Sequence, residues 1–160
     1  MSEKNHLPYR LGVGLVIFRA DKRIFTGRRL DNTSAWQMPQ GGMDENEVPL
    51  ETAYREMFEE TGISEDKVSL AGATKKWYRY DLPSEIQSRF WNGKYRGQSQ
   101  KWFLFEFIGE DTDINISTET PEFCEWRWSS IDDLVEKIVP FKLELYQKVL
   151  KEFKHQMTSI

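Results

Sequence analysis

The stretch from Leu50 to Gly62 constrains the fold more than any other. Leu50, Ala53, Tyr54, Met57 and Phe58 recur at i, i+3, i+4, i+7 and i+8, the spacing of one buried helical stripe. Pro49 suits the first turn of a helix and Gly62 a left-handed stop, so the pattern predicts a helix ending at about Thr61. Glu56, Glu59 and Glu60 stand at i, i+3 and i+4, on the side opposite the stripe, where their carboxylates converge. Such like-charge neighbours destabilise an isolated helix by roughly 0.2–0.5 kcal/mol per pair. They also occupy its second half, where the helix dipole disfavours anions. A solvated face would more naturally alternate Glu with Lys. A hard divalent cation, Mg²⁺ or Mn²⁺, removes the repulsion and suits carboxylate oxygens.

A chain of 160 residues argues for one domain, here taken as 1–160. Apolar residues at 39% and charged residues at 30% give an ordinary globular balance. The longest apolar run, Leu11 to Phe18, is too short to span a bilayer. The opening MSEKNHLPYR has no apolar core of a signal peptide. Cys124 is the only cysteine, which excludes an intramolecular disulfide and fits a reducing, cytoplasmic setting. It reads most simply as a small core filler. The only histidines are His6 and His155, near the chain ends, so histidine triads and zinc-protease helices are excluded. Catalysis must rest on carboxylates, Lys, Arg, Tyr or an oxygen-held metal. No GxxxxGK[ST] loop is present, and Gly12–Val13–Gly14 lacks the third glycine of a dinucleotide loop.

The net charge of −4 hides a segregation. Asp44 to Asp66 carries nine acids against Arg55 alone, whereas Lys75 to Lys101 carries seven bases against Asp81 and Glu85. Trp77, Tyr78, Tyr80, Phe90, Trp91 and Tyr95 interleave with those bases. An acidic knot beside a basic, aromatic stretch suggests metal chemistry on a polyanion. From charge alone, two solvated faces of opposite sign explain the pattern equally well.

Along the chain, Leu11–Ala20 and Arg23–Arg29 read as paired strands about an Asp21–Lys22 turn. Val68–Tyr80 and Gln100–Ile108 read as extended, and Phe123–Trp128 as an alternating strand. Ser130–Lys137 and Pro140–Lys154 read as helices, with Phe141, Leu145 and Val149 in register. The order predicts an α+β domain with a mixed sheet.

At this point the residues match a family. Gly41, five residues, Glu47, seven residues, then Arg55–Glu56–Met57–Phe58–Glu59–Glu60–Thr61–Gly62–Ile63 resembles the Nudix box at nine fixed or class-restricted positions. The resemblance implies a Nudix fold: a mixed β-sheet sandwiched between α-helices, with the box as loop–helix–loop. It implies hydrolysis of diphosphate linkages with Mg²⁺ or Mn²⁺ held by Glu56, Glu59 and Glu60 and the Gly41 carbonyl. It also implies an Arg55–Glu47 pair that braces the loop. Many members place glycine before the first box glutamate. Here it is Asn46, which tolerates the left-handed conformation.

Further segments resemble one branch, the RNA 5′-pyrophosphohydrolases and dinucleoside polyphosphate hydrolases. They are Pro8–Tyr9–Arg10, Trp36–Gln37–Met38–Pro39–Gln40–Gly41–Gly42, Gly97–Gln98–Ser99–Gln100–Lys101–Trp102–Phe103, Pro121–Glu122–Phe123 and Pro140–Phe141–Lys142. By pattern alone, Arg10, Arg28 and Lys142 are solvated surface, Phe141 is core, and Trp126 and Trp128 are core. The resemblance instead implies that Arg10, Arg28 and Lys142 contact phosphates, with Gln98 beside them, that Phe141 stacks on a base, and that Glu122 is a further metal ligand or general base. The implied substrate is an RNA 5′ end bearing two or three phosphates, with a dinucleoside polyphosphate as the alternative. A non-catalytic RNA- or nucleotide-binding module is the reading from another class, and the three converging carboxylates argue against it. Nothing points to a membrane or a protein partner.

Overall fold

A computed structural model describes residues 6–158. The terminal residues that complete the span 1–160 lie outside the described residues. The apolar run after Pro8 becomes strand β1 (Tyr9–Phe18), which turns through Asp21–Lys22 into β2 (Ile24–Arg29). Lys22 takes the left-handed backbone the turn needs, and the Asp21 carboxylate accepts from the Arg19 guanidinium and the Arg23 backbone N–H. Short strands β3 (Trp36–Gln37) and β4 (Gln40–Gly42) precede helix α1 (Pro49–Thr61). Then follow β5 (Val68–Ala73), β6 (Tyr78–Asp81), a short helix α2 (Ser84–Gln87), β7 (Gly97–Phe107), β8 (Phe123–Ser129), α3 (Ile131–Lys137) and α4 (Leu143–Thr158).

The strands form one mixed sheet of order β3-β2-β1-β7-β5, with β4 on β1, β6 on β7 and β8 on β2. β1 runs parallel to β7 and pairs antiparallel with β2 and β4. Strand alternation sends successive residues of β1 to opposite faces. Val13, Leu15 and Ile17 therefore pack with Ala53 and Met57 of α1, while Val16 and Phe18 pack with Tyr146, Val149 and Phe153 of α4. The sheet is thus covered by helices on both faces, which is the predicted α+β Nudix architecture. Among the described residues, no helix is long and apolar enough to cross a membrane.

Three local readings need correction. Phe58 does not join the buried stripe; it is 58% exposed, because it lies off the face of α1 that buries Thr52, Ala53, Met57, Glu60 and Thr61. Cys124 is exposed rather than core. The register of β2 against β8 slips there, pairing Arg28 with Glu125 and Arg29 with Phe123. Cys124 is the extra residue of that bulge, with its thiol over the Arg28 and Arg29 carbonyls. The slip also turns Phe123 inward to join Trp126 and Trp128 around Phe25. Finally, Pro140–Lys142 forms a 3₁₀ turn, and the α-helix proper begins at Leu143.

Candidate active site

The loop before α1 is held by one ionic knot. The Glu47 carboxylate accepts from the Asp44 backbone N–H, the Thr52 hydroxyl and, at 2.7 and 2.9 Å, Nε and Nη2 of Arg55. The guanidinium holds Glu47 down at about 2, far below the usual carboxylate range. Arg55 also donates to the Gly42 carbonyl at 2.9 Å. Asn46 takes φ 69° in that loop and Gly62 takes φ 73° at the helix end, the conformations the sequence predicts for both.

The three box glutamates do not share one face. Glu60 is 6% exposed and accepts from the Gln40 backbone N–H at 3.3 Å. Glu56, one turn earlier, lies so close to Gly41 that a Cβ there would sit 2.0–2.4 Å from its carboxylate atoms. Only glycine fits. Glu59 is exposed and, like Glu56, accepts from Nη1 of Arg55, at 3.0 and 2.9 Å. Burial pushes Glu56 up to about 7 and Glu60 well above its ordinary value; repulsion by Glu59 adds to the first shift, against the pull of Arg55, and repulsion by Glu56 adds to the second. Glu122, just before β8, is likewise raised by burial and repels both. Among the described residues, no three carboxylate, imidazole or thiol groups meet at a common point, because Glu56 and Glu59 are arranged around Arg55. Two adjoining buried carboxylates, with oxygen donors only, match the chemistry of a hard divalent cation; the residues present fit such an ion.

These acids form one wall of a cleft of about 390 Å³. Lys142 stands in the facing wall. It is 2% exposed, not solvated, and its Nζ donates to Gln37 Oε1 at 3.4 Å and Gln40 Oε1 at 3.2 Å. Burial and the neighbouring Arg29 push its ammonium down to about 7, against the opposing pull of Glu60. Gln40 therefore touches both walls, through its backbone N–H to Glu60 and its side chain to Lys142. Phe141 lies half-buried on the cleft edge, 5.8 Å from the Tyr80 ring.

Arg10 reaches the cleft across Gly42, where a Cβ would strike its guanidinium at 2.0–2.1 Å, and lies 5.3 Å over the Trp91 ring. Gln98 is buried in the wall at the end of a relay from Trp102 Nε1 to Gln100 Oε1, and from Gln100 Nε2 to Gln98 Oε1. That relay uses alternate residues on one face of β7, which is why the segment spaces Gln98, Gln100 and Trp102 by two.

The structure brings Gly41, Glu56, Glu60, Glu122, Arg10, Gln98, Phe141 and Lys142 to this cleft, and holds Glu59 beside it through Arg55. It does not bring Arg28, whose guanidinium pairs with Glu125 at 3.0 Å. Adjacent strand residues leave opposite faces, and it is Arg29 that lines the cleft, paired with Asp31 and donating to Gln37 Oε1. The sequence assigns no role to Gln37 or Gln40, and points to Tyr80 and Trp91 only as members of the aromatic set interleaved with the bases. The two glutamines flanking Met38–Pro39 beside the box glycines were the available signal for the first pair.

Comparison with known proteins decides the family. The NUDIX domain model matches residues 8–149. The chain belongs to the Nudix family. It is 53% identical over 155 residues to "RNA pyrophosphohydrolase" of Rickettsia rickettsii (strain Sheila Smith), covering 95% of each chain. It is 53% identical over 148 residues to the protein of the same name from Rickettsia typhi, covering 92% of this chain and 91% of that one. Among solved structures, this Nudix chain resembles the E. coli dihydroneopterin triphosphate pyrophosphohydrolase, with a TM-score of 0.71 at 19% identity over 88% of this chain and 96% of that one. It also resembles a C. elegans Ap4A hydrolase binary complex, with a TM-score of 0.67 at 20% identity over 91% and 98%. At those identities the structural likeness speaks to the fold.

Proposed function

We propose that this Nudix pyrophosphohydrolase removes phosphate or pyrophosphate from the 5′ end of triphosphorylated or diphosphorylated RNA, using Mg²⁺ or Mn²⁺. The observation that carries the proposal is the pair of opposed walls. Glu56 and Glu60 are buried carboxylates that gain from a cation, and Lys142 is a buried ammonium that gains from an anion. A metal-bound polyphosphate answers both at once. The name shared by relatives at 53% identity supports RNA as the substrate.

Glu56, Glu59, Glu60, Glu122 and the Gly41 carbonyl would hold the metal. When bound, such an ion neutralises phosphate charge and favours attack by water. Lys142, Arg10 and Arg29 bind and orient the phosphate chain, so that its reacting phosphorus faces the acidic wall. Gln40 fixes the spacing of the walls through its two hydrogen bonds. Glu122, whose carboxyl burial raises, serves either as such a ligand or as the general base that takes a proton from the attacking water. Phe141 offers its ring to a base at the cleft edge.

The test is release of phosphate or pyrophosphate from triphosphorylated RNA against cleavage of diadenosine tetraphosphate, at equal concentration with Mg²⁺. A clear preference for RNA supports the proposal. A preference for the dinucleotide transfers the assignment to asymmetric hydrolysis of dinucleoside polyphosphates. Binding of both without turnover of either makes the chain a binding module.

A further inference from the structure

Beyond Phe141 the surface does not end. Phe141 and Tyr80 line the catalytic cleft and also a second depression of about 290 Å³, whose other walls include Tyr78, Arg79 and Lys148. Those three in turn line a third, open depression of about 840 Å³ with Lys76, Trp77 and Lys151. The three depressions thus share walls and run as one furrow between β6 and α4. Trp77 is 39% exposed in the turn before β6, and Lys76, Arg79 and Lys151 are exposed beside it. Glu152, the acid in the outer part, is already engaged by the Tyr78 hydroxyl and the Lys75 backbone N–H. Of the two acids in the middle part, Glu144 is paired with Lys148 at 3.1 Å and Asp81 with Arg96 at 3.0 Å. The charge left facing solvent is positive, on a chain whose net charge is −4.

An exposed tryptophan and a half-buried tyrosine among lysines and arginine match a flexible polyanion with stackable bases. We infer that this furrow binds the single-stranded RNA that follows the end-bearing nucleotides, carrying it from the Phe141 edge past Tyr78 to Trp77. The inference rests on the RNA reading of the cleft. It adds a distinct site, outside the carboxylate cluster, that gives affinity without base preference: rings stack on any base, and lysines meet any phosphate.

The binding test needs no catalysis. A fluorescent 5′-hydroxyl oligoribonucleotide of ~12 nucleotides, within the range one such surface covers, is titrated by anisotropy against wild type, Trp77→Ala and Lys76→Ala/Lys151→Ala. Loss of one stacked base is expected to raise Kd at least ~5-fold for Trp77→Ala. The double lysine variant is expected to flatten the dependence of log Kd on log salt by about 1.4, two phosphate contacts on a single strand. Both substitutions are on the surface, and an unchanged melting temperature establishes that each variant is folded. The kinetic arm compares KM for that oligonucleotide, triphosphorylated, with KM for a triphosphorylated dinucleotide too short to reach Trp77. The ratio should rise at least ~5-fold in Trp77→Ala. Unchanged Kd, salt slope and KM ratio in both variants would overturn the furrow. Hydrolysis of diadenosine tetraphosphate but not of either RNA, with the Kd changes intact, would instead overturn the RNA-end assignment and leave the furrow standing.

Discussion

The two walls of the cleft bury charge in opposite ways. On the α1 side, Glu56 and Glu60 lie one helical turn apart, and repulsion by neighbouring carboxylates, Glu122 among them, adds to the desolvation that raises each. On the opposite side, Lys142 is buried on amide oxygens and beside a second cation, Arg29, so its charge is suppressed. Each wall holds a charge with only neutral hydrogen-bond partners, Glu60 on one side and Lys142 on the other, and such a buried charge costs several kcal/mol or shifts its protonation. Strain of opposite sign, held about one bridging residue, Gln40, is what a metal-bound polyphosphate relieves. The difference teaches that recognition here comes from two complementary deficits rather than from one preformed ion cage. The walls also differ in support. The acidic wall is fixed by the Arg55–Glu47 knot within one short stretch of chain, whereas the basic wall is assembled from β1, β2, a 3₁₀ turn and β7.

Neutralising the acidic wall should have the largest effect. Glu60→Gln is expected to lower kcat at least ~10²-fold, as removal of a major electrostatic contribution does. In EDTA it should nevertheless melt no lower than wild type, because it removes a buried repelling charge. Glu59→Gln should lose similar activity, although its carboxylate is exposed. Near wild-type turnover in both variants would refute metal ligation by α1. Steady-state kinetics with Mg²⁺ and a thermal melt in EDTA suffice.

Arg55→Ala should cost both activity and stability. Arg55 is the shared donor to Glu47, Glu56, Glu59 and the Gly42 carbonyl, and charged hydrogen bonds of this kind carry roughly 1.5–3 kcal/mol each when their partners are left unmade. Solvent reaches part of the knot, so on the order of 2 kcal/mol of stability is expected to go, read by urea denaturation. A variant that keeps its stability and loses only turnover would make Arg55 a substrate contact rather than a brace.

The acidic wall should also reveal itself through pH. The folded-state value of Glu56 stands at about 7, above its ordinary 4.5. The folded protein therefore binds more protons than the unfolded chain between those values. In EDTA, stability should fall as pH rises from about 4.5 to 7. Divalent cation competes with those protons, so the rise in melting temperature on adding Mg²⁺ should be small at the acid end of that window and large above it. A cation-induced shift that does not vary with pH would separate the metal from Glu56.

The contrast between the walls also marks what the sequence could show. The α1 wall is almost wholly local: stripe, cap, Asn46 turn and Glu47–Arg55 pair all lie within two dozen residues, the stripe and cap following from spacing and backbone preference, the turn and the pair from the family resemblance. What spacing missed there was depth. Glu60 was placed on the outer face, but it lies one turn beyond Met57, on the line α1 presents to the sheet. The other wall depends on long-range register. Whether Arg28 or Arg29 enters the cleft is decided by strand parity about the β2–β8 slip, and the burial of Lys142 by how α4 packs its Tyr146 hydroxyl under Met38 N at 2.9 Å. Neither leaves a local trace, and the family resemblance alone selected Lys142.

On the basic wall, Lys142→Ala is expected to reduce kcat/KM by about 10-fold, roughly one charged hydrogen bond to phosphate, and to leave metal binding intact. It removes a charge that burial already suppresses, so the variant should lose less stability than an ordinary buried truncation. A strong fall in melting temperature with unaltered kcat/KM would make Lys142 a structural post for Gln37 and Gln40.

Phe141→Ala gives the smallest effect and tests the edge where the two walls meet the furrow. As a core residue in register with Leu145 and Val149, Phe141 would cost roughly 3–5 kcal/mol on truncation. The structure instead places it on the 3₁₀ turn, half-buried, with its ring against Tyr80 and open to the cleft. The ring is only partly desolvated, so the stability loss should stay well below that range. A base stacked on it contributes about 1–3 kcal/mol, so KM for triphosphorylated RNA should rise at least ~5-fold while kcat changes little, because the residue touches the base and not the reacting phosphorus. Phe141→Tyr keeps the stacking surface and should restore KM. If Phe141→Ala melts like a core truncation and leaves KM alone, the ring belongs to the α4 packing, and the grip on RNA passes to Arg10, Arg29 and Lys142 within the cleft.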